Sequence, residues 1–203
     1  MIVIVDYAVG NIGSILNMLK KIGVEAMISS SAEDLEKADK LILPGVGAFD
    51  SGMNKLQELG FVDVLNKKVL EEKTPILGIC LGMQLMTKGS EEGILPGLGW
   101  FDAKAVKFIF ENGSRLKVPH MGWNYADTAK PSKLFENMFD DPRFYFVHSY
   151  YIKCNCTEDV LSETNYSVGF VSGFERDNIY GVQFHPEKSH KFGLRFLKNF
   201  SEL

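Results

Sequence analysis

Gly78-Ile79-Cys80-Leu81-Gly82 sets a thiol between two glycines, at the end of the apolar run Pro75 to Ile79 and ahead of a helical stretch. This is the sulfur form of the strand–turn–helix elbow, in which a strained turn holds a nucleophile clear of its neighbours. Glycines two residues before and two after remove side chains that would crowd so sharp a bend. A cysteine at the first turn of a helix faces the positive end of the macrodipole, which favours the thiolate, the reactive form. A lone cysteine on a strand is more often a small buried hydrophobe. The segment therefore takes its meaning from a base elsewhere in the chain.

A cysteine nucleophile needs a base, and the base needs an orienting group. Of the four histidines, His185 stands in Gln183-Phe184-His185-Pro186-Glu187. Pro186 forces the residue before it into an extended conformation. Residues two apart in an extended segment point to the same side, so Glu187 is expected beside the imidazole, fixing its tautomer. Acyl transfer also needs donors for a developing oxyanion. In elbow proteins one is the N–H of the residue after the nucleophile, here Leu81, and the other comes from a loop after an earlier strand. Pro44-Gly45-Val46-Gly47 fits that loop, because flanking glycines let a peptide plane rotate its N–H inward, at Val46 or Gly47.

The elements that must hold these residues alternate in the first half. Strands are expected at Ile2 to Val5, Val24 to Ile28, Lys40 to Leu43 and Pro75 to Ile79. Between them, apolar spacing predicts helices from Ile12 to Ile22, Ser51 to Leu59 and Val62 to Glu72. Ser31-Ala32-Glu33-Asp34 reads as a capping box opening a further short helix. Such alternation predicts an α/β fold, an open and mostly parallel sheet with helices on both faces and ligands at the carboxyl ends of its strands. The second half reads as added antiparallel strands in the same sheet. Val106 to Phe110 and Arg115 to Val118 are expected to form a hairpin through Asn112-Gly113. Strands at Arg143 to Val147, Tyr150 to Cys154, Ser167 to Val171 and Ile179 to Phe184 precede a last helix from Lys191 to Glu202.

Composition sets the bounds. A chain of 203 residues with 45% hydrophobic content is expected to fold as a single domain over residues 1–203. A net charge of −4 without a basic cluster argues against nucleic acid as a partner. No apolar run reaches the ~20 residues of a membrane span. Three cysteines and an N-terminus without a basic leader point to a reducing compartment, the cytoplasm. Cys154-x-Cys156 lacks a second ligand pair, and no nucleotide motif is present, so neither metal nor cofactor is expected.

The elbow, the Pro44–Gly47 loop and His185-Pro186-Glu187 together resemble the class I (triad) glutamine amidotransferases. Asp6-Tyr7 with Gly10-Asn11, Pro119-His120-Met121-Gly122-Trp123-Asn124, Phe146-Val147-His148-Ser149-Tyr150-Tyr151 and Gly181 to Ser189 narrow the likeness to one branch. Its members are the glutaminase subunits that supply a separate (β/α)8 synthase making imidazole glycerol phosphate and an aminoimidazole carboxamide ribonucleotide. The resemblance implies that Cys80 attacks glutamine, His185 moves the proton and Glu187 orients His185. It implies that Gly45, Gln84, His148, Ser149 and Tyr150 hold the substrate, Gln84 lying one helical turn beyond Cys80. It implies that Asn11, Trp123 and Lys188 lie near the heterodimer interface. Ala8 departs from a common glycine, and the Gly99 to Lys104 and Lys188 to Gly193 segments resemble a paralogue branch that feeds ammonia to a sugar-modifying acceptor. A stand-alone cysteine hydrolase and a non-catalytic regulatory subunit of the same fold are the remaining alternatives.

Overall fold

The computed structural model describes residues 1–110 and 116–203. The first half runs β1 (Ile2–Val5), α1 (Ile12–Lys21), β2 (Ala26–Ser29), α2 (Ala32–Glu36), β3 (Lys40–Leu43), α3 (Phe49–Glu58), α4 (Phe61–Asn66), β4 (Ile76–Ile79) and α5 (Leu81–Leu85). It continues through β5 (Ala103–Lys107), β6 (His120–Tyr125), β7 (Asp127–Thr128), β8 (Arg143–His148), β9 (Tyr150–Cys154), β10 (Val160–Tyr166), β11 (Val168–Arg176) and β12 (Ile179–Val182) to α6 (His190–Ser201).

Strands β2-β1-β3-β4-β12 are parallel neighbours, and β12-β11-β10-β7 continue the same sheet antiparallel. The parallel strands read as unbroken apolar runs because both faces are covered. Val3, Val5, Leu41 and Leu43 pack one way with Phe49, Met53 and Leu56 of α3. The alternate residues Ile2, Ile4 and Ile42 pack the other way with Ile15 and Leu19 of α1 and Phe196 and Phe200 of α6. The last strand decides the site. β12 inserts beside β4 with Val182 opposite Ile79. That register sets residues 183 to 185 next to the elbow at Cys80.

Several expectations are corrected. The turn of the expected hairpin lies outside the described residues, and Leu116 to Val118 form no strand. Ala103–Lys107 instead pairs with Tyr150–Cys154, where Ala103, Ala105 and Ile152 bury together. The capping box is not formed. Ser31 makes no side-chain cap, and Asp34 Oδ2 accepts from Ser29 Oγ at 2.5 Å. β8 does not extend the main sheet. It pairs with β6, which periodicity did not reveal, and turns Phe144, Phe146 and His148 inward, Phe144 onto Phe192 and Phe196 of α6, and Phe146 and His148 onto Phe170 of β11. β10 was likewise missed, because its buried positions include Ser162 and Thr164.

Candidate active site

Cys80 sits between β4 and α5 with φ 54° and ψ −108°. This strained conformation is held from both sides. A Cβ on Gly82 would lie 1.8 Å from the Leu43 carbonyl oxygen, and one on Gly78 would lie 2.8 Å from Met83 N. Both glycines are therefore steric requirements of the bend. The Cys80 N–H donates to the Val182 carbonyl at 2.8 Å, tying the elbow to β12. α5 is a single short helix of five residues, so the dipole behind the thiol is that of its first turn.

His185 Nδ1 pairs with Glu187 Oε1 at 2.7 Å, with both side chains under 5% exposed (2% and 4%). The contact is made by a different route from the extended segment expected. His185 is extended, but Pro186–Lys188 forms a short 3-10 turn, and that turn swings the carboxylate back onto the ring. The His185 backbone N–H donates to Tyr145 O at 2.9 Å, and Ser189 Oγ donates to His185 O at 2.6 Å, so the imidazole stands on a fixed base. His185 Nε2 is buried without a hydrogen bond among the described residues. Burial pulls the His185 imidazole down. The hydrogen bond from Nδ1 to the Glu187 carboxylate, and the nearness of Cys80 and Glu187, outweigh burial and push it up to about 10. A cysteine, a histidine and a glutamate in series are the arrangement that a covalent acyl transfer requires.

A cavity of about 450 Å³ opens on Cys80, lined by Val46, Gly47, Ala48, Leu81, Gln84, Glu92, Pro119, Val147, His148, Ser149 and Tyr150. All the expected substrate positions except Gly45 face it. Gly45 lies behind the wall, where a Cβ would stand 2.5 Å from the Tyr7 hydroxyl and 2.9 Å from Leu81 Cβ. Tyr7 is fully buried and donates to Pro44 O at 2.5 Å, anchoring the start of the loop. Burial and the Cys80 charge push the Tyr7 phenol far above its ordinary range, so it remains a donor. The Leu81 N–H, expected as an oxyanion donor, is given to the Gly45 carbonyl at 3.3 Å. Gly47, at φ 99°, and Val46 are exposed.

Three residues were missed. Glu92 lines the cavity and accepts the Phe49 N–H at 2.8 Å, which ties the loop after Gly47 to the pocket mouth. Ser90-Glu91-Glu92 carries no signal that separates it from a solvated acidic turn. Gln183 is fully buried and reaches the Cys80 sulfur. Its signal was present: it precedes His185 by two residues at a strand end and so shares its side. His120 stacks beneath the pocket wall and meets His148 across the β6–β8 pair at 2.9 Å.

His148 is held uncharged. Burial dominates and, with repulsion from His120 and His185, brings it down to about 3 despite the Tyr150 carbonyl. An unfolded histidine titrates near 6.5. Below that pH the unfolded chain takes up a proton that folded His148 refuses. Stability is therefore full above 6.5 and falls as pH drops toward 3, by roughly 1.4 kcal/mol per pH unit for this group. Urea unfolding between pH 7 and 4 checks this. His148→Asn keeps a donor at the δ position and cannot charge, so it should show a shallower acid slope; equal slopes contradict the assignment.

The exposed residues expected at an interface gather in part. Trp123, 45% exposed, stacks on His190 at 5.4 Å and 4° and meets Tyr145 edge-on. Lys188 lies over the same Tyr145 ring at 5.6 Å. Asn11 is exposed at the head of α1 and caps it with no side-chain bond. Ala8, where a glycine is common in the branch, has φ 62°, the conformation that explains that preference. Among the described residues no cluster of His, Cys, Asp or Glu could hold a metal ion. Nor, among them, is any helix long and apolar enough to cross a membrane.

The chain belongs to the class I glutamine amidotransferases, whose family profile matches residues 3–202. It is 58% identical over 200 residues to imidazole glycerol phosphate synthase subunit HisH 2 of Methanococcus maripaludis, covering 98% of each chain. It is 51% identical over 203 residues to the subunit HisH 2 of Pseudomonas aeruginosa, covering 100% of each. Its fold matches a solved glutamine amidotransferase with a TM-score of 0.71 at 21% identity, covering 99% of each chain.

Proposed function

We propose that this single-domain chain is the glutaminase subunit of an imidazole glycerol phosphate synthase in histidine biosynthesis. The observation that carries the reading is the strained Cys80 elbow, opening on a cavity sized for an amino acid, with the buried His185–Glu187 pair behind it. The Cys80 sulfur attacks the carboxamide carbon of glutamine. The tetrahedral oxyanion collapses as His185 gives its proton to the departing ammonia, leaving a glutamyl thioester. Water, losing a proton to His185, attacks the thioester and releases glutamate and the thiolate. Glu187 holds the tautomer and the charge of His185 throughout. No cofactor enters these steps.

Ammonia passes to a (β/α)8 synthase subunit, which we place against the face bearing Asn11, Trp123 and Lys188. The assembly is assigned to the cytoplasm. The Leu81 N–H bonded to Gly45 O supports a site at rest until that partner binds. Turning the Gly45–Gly47 segment frees Leu81 and brings in a second donor. Because one oxyanion donor is worth ~10²–10³ in rate, glutaminase activity is expected to rise at least ~10²-fold when the barrel and its nucleotide substrate are added. Gly47→Val, strained at φ 99°, should blunt the rise while Cys80 still reacts with iodoacetamide. An isolated chain already turning over at the rate of the complex refutes the switch.

A second reading keeps the chemistry and changes the acceptor to one such as a surface sugar. Both relatives above carry the number 2 in their names, and Ala8 departs from the common pattern. Supplying glutamine to the chain with each candidate acceptor subunit, and following its aminated product, separates the two readings.

A further inference from the structure

Gln183 follows β12 directly beside the elbow. Its Nε2 donates to the Cys80 sulfur at 3.6 Å, and its Oε1 accepts from Gln84 Nε2 at 3.0 Å. Gln84 Nε2 also donates to the Tyr150 carbonyl at 3.3 Å. A carbonyl only accepts, so the orientation of the Gln84 amide is fixed. Gln183 must then show Gln84 its oxygen and the sulfur its N–H. The same Tyr150 carbonyl accepts from His148 Nδ1 at 2.7 Å. His148 Nε2 is thereby an acceptor, and His120 Nδ1 donates to it at 2.9 Å. His120 Nε2 accepts in turn from Asn124 Nδ2 at 3.2 Å, and that amide also donates to Asn165 O at 2.9 Å.

The directions close along the whole length, from Asn124 on the β6 strand to the reacting sulfur. Turning over any one member breaks at least two bonds. Both imidazoles must be neutral for the series to hold, and burial keeps them so, His120 falling to about 4. We propose that this hydrogen-bonded series positions the nucleophile, with Gln183 donating directly to the Cys80 thiolate and His120 acting on it from the far side of the pocket wall. The inference rests on the reading of Cys80 as the nucleophile. An N–H aimed at the sulfur stabilises its negative charge and selects one rotamer, which a backbone elbow alone does not do.

The test compares the full chain with its His120→Leu, His120→Asn and Gln183→Met variants. Two quantities are read: alkylation of the Cys80 peptide by iodoacetamide at fixed pH, and kcat and KM for glutamine in complex with the barrel. Losing one hydrogen bond to a charged group is expected to slow alkylation and kcat about tenfold in His120→Leu and Gln183→Met. His120→Asn keeps a donor at the δ position and should recover most of the loss. If His120→Leu raises KM while Cys80 is alkylated at the parent rate, the series ends at the pocket wall and the proposal is overturned. Unchanged alkylation in Gln183→Met overturns it equally, and that variant decides the matter should His120→Leu melt. Parent protein that turns over glutamine while Cys80 stays unalkylated instead defeats the nucleophile reading itself.

Discussion

Replacing Cys80 with alanine is expected to abolish glutamate release from glutamine while leaving ammonia-driven synthesis by the partner barrel intact. The thioester forms on Cys80, whereas the acceptor reaction takes place in the other subunit. Removing the nucleophile of a triad hydrolase costs about 10⁶ in turnover, so the residual rate should lie at background. The substitution is mild for the fold. Cys80 is 6% exposed, and the elbow is held by Gly78, Gly82 and the Cys80 N–H rather than by the sulfur. Alanine must adopt the same φ of 54°, which cysteine already bears as strain. A Cys80→Ala protein that still hydrolyses glutamine contradicts the assignment. Loss of the ammonia-driven reaction as well would show that the heterodimer no longer assembles.

The second large effect belongs to Glu187. Glu187→Gln keeps the shape and a hydrogen-bonding oxygen for His185 Nδ1, now 2.7 Å from the carboxylate. It removes the buried charge that helps hold the imidazole up near 10, and it allows the wrong tautomer. The equivalent amide substitution in a serine-protease triad costs ~10⁴ in turnover. A loss of ~10²–10⁴ is expected here, carried by kcat, since Glu187 lies behind His185 and away from the cavity lining. Less than about a tenfold loss, measured on the activated complex, removes Glu187 from the triad.

The chemistry was more legible in the sequence than the architecture around it. Gly78, Cys80 and Gly82 announce themselves because only glycine fits where a Cβ would meet Leu43 O or Met83 N, a local steric demand. The parallel half was readable for a similar reason: strands buried on both faces must be apolar throughout, as in Ile2–Val5 and Ile76–Ile79. The second half obeys partners distant in sequence. The Asn112-Gly113 signal suggested a local hairpin, yet Ala103–Lys107 pairs across some fifty residues with Tyr150–Cys154. β6 escaped notice because its residues alternate around two glycine- and histidine-bearing positions rather than a run of aliphatics, and its one well-buried side chain is His120.

The site shows the same division. Cys80, His185 and Glu187 could be named because each stands in a short motif with its own geometry. Glu92 could not, since its place at the pocket mouth depends on how the loop after α5 folds back on the Phe49 N–H. Position alone points the Leu81 N–H at an oxyanion, whereas in the fold the Gly45 carbonyl already occupies it. Peptide-plane orientation in a Gly-Val-Gly loop leaves no trace in residue types, because glycine is compatible with either direction.

Intact-protein and peptide mass spectrometry of the activated complex, acid-quenched during glutamine turnover, tests the central claim most directly. A glutamyl adduct should appear on the peptide carrying Cys80 and disappear once glutamine is exhausted. A glutamyl group found on Cys154, on Cys156 or on no residue while glutamate is being released would contradict Cys80 as the nucleophile.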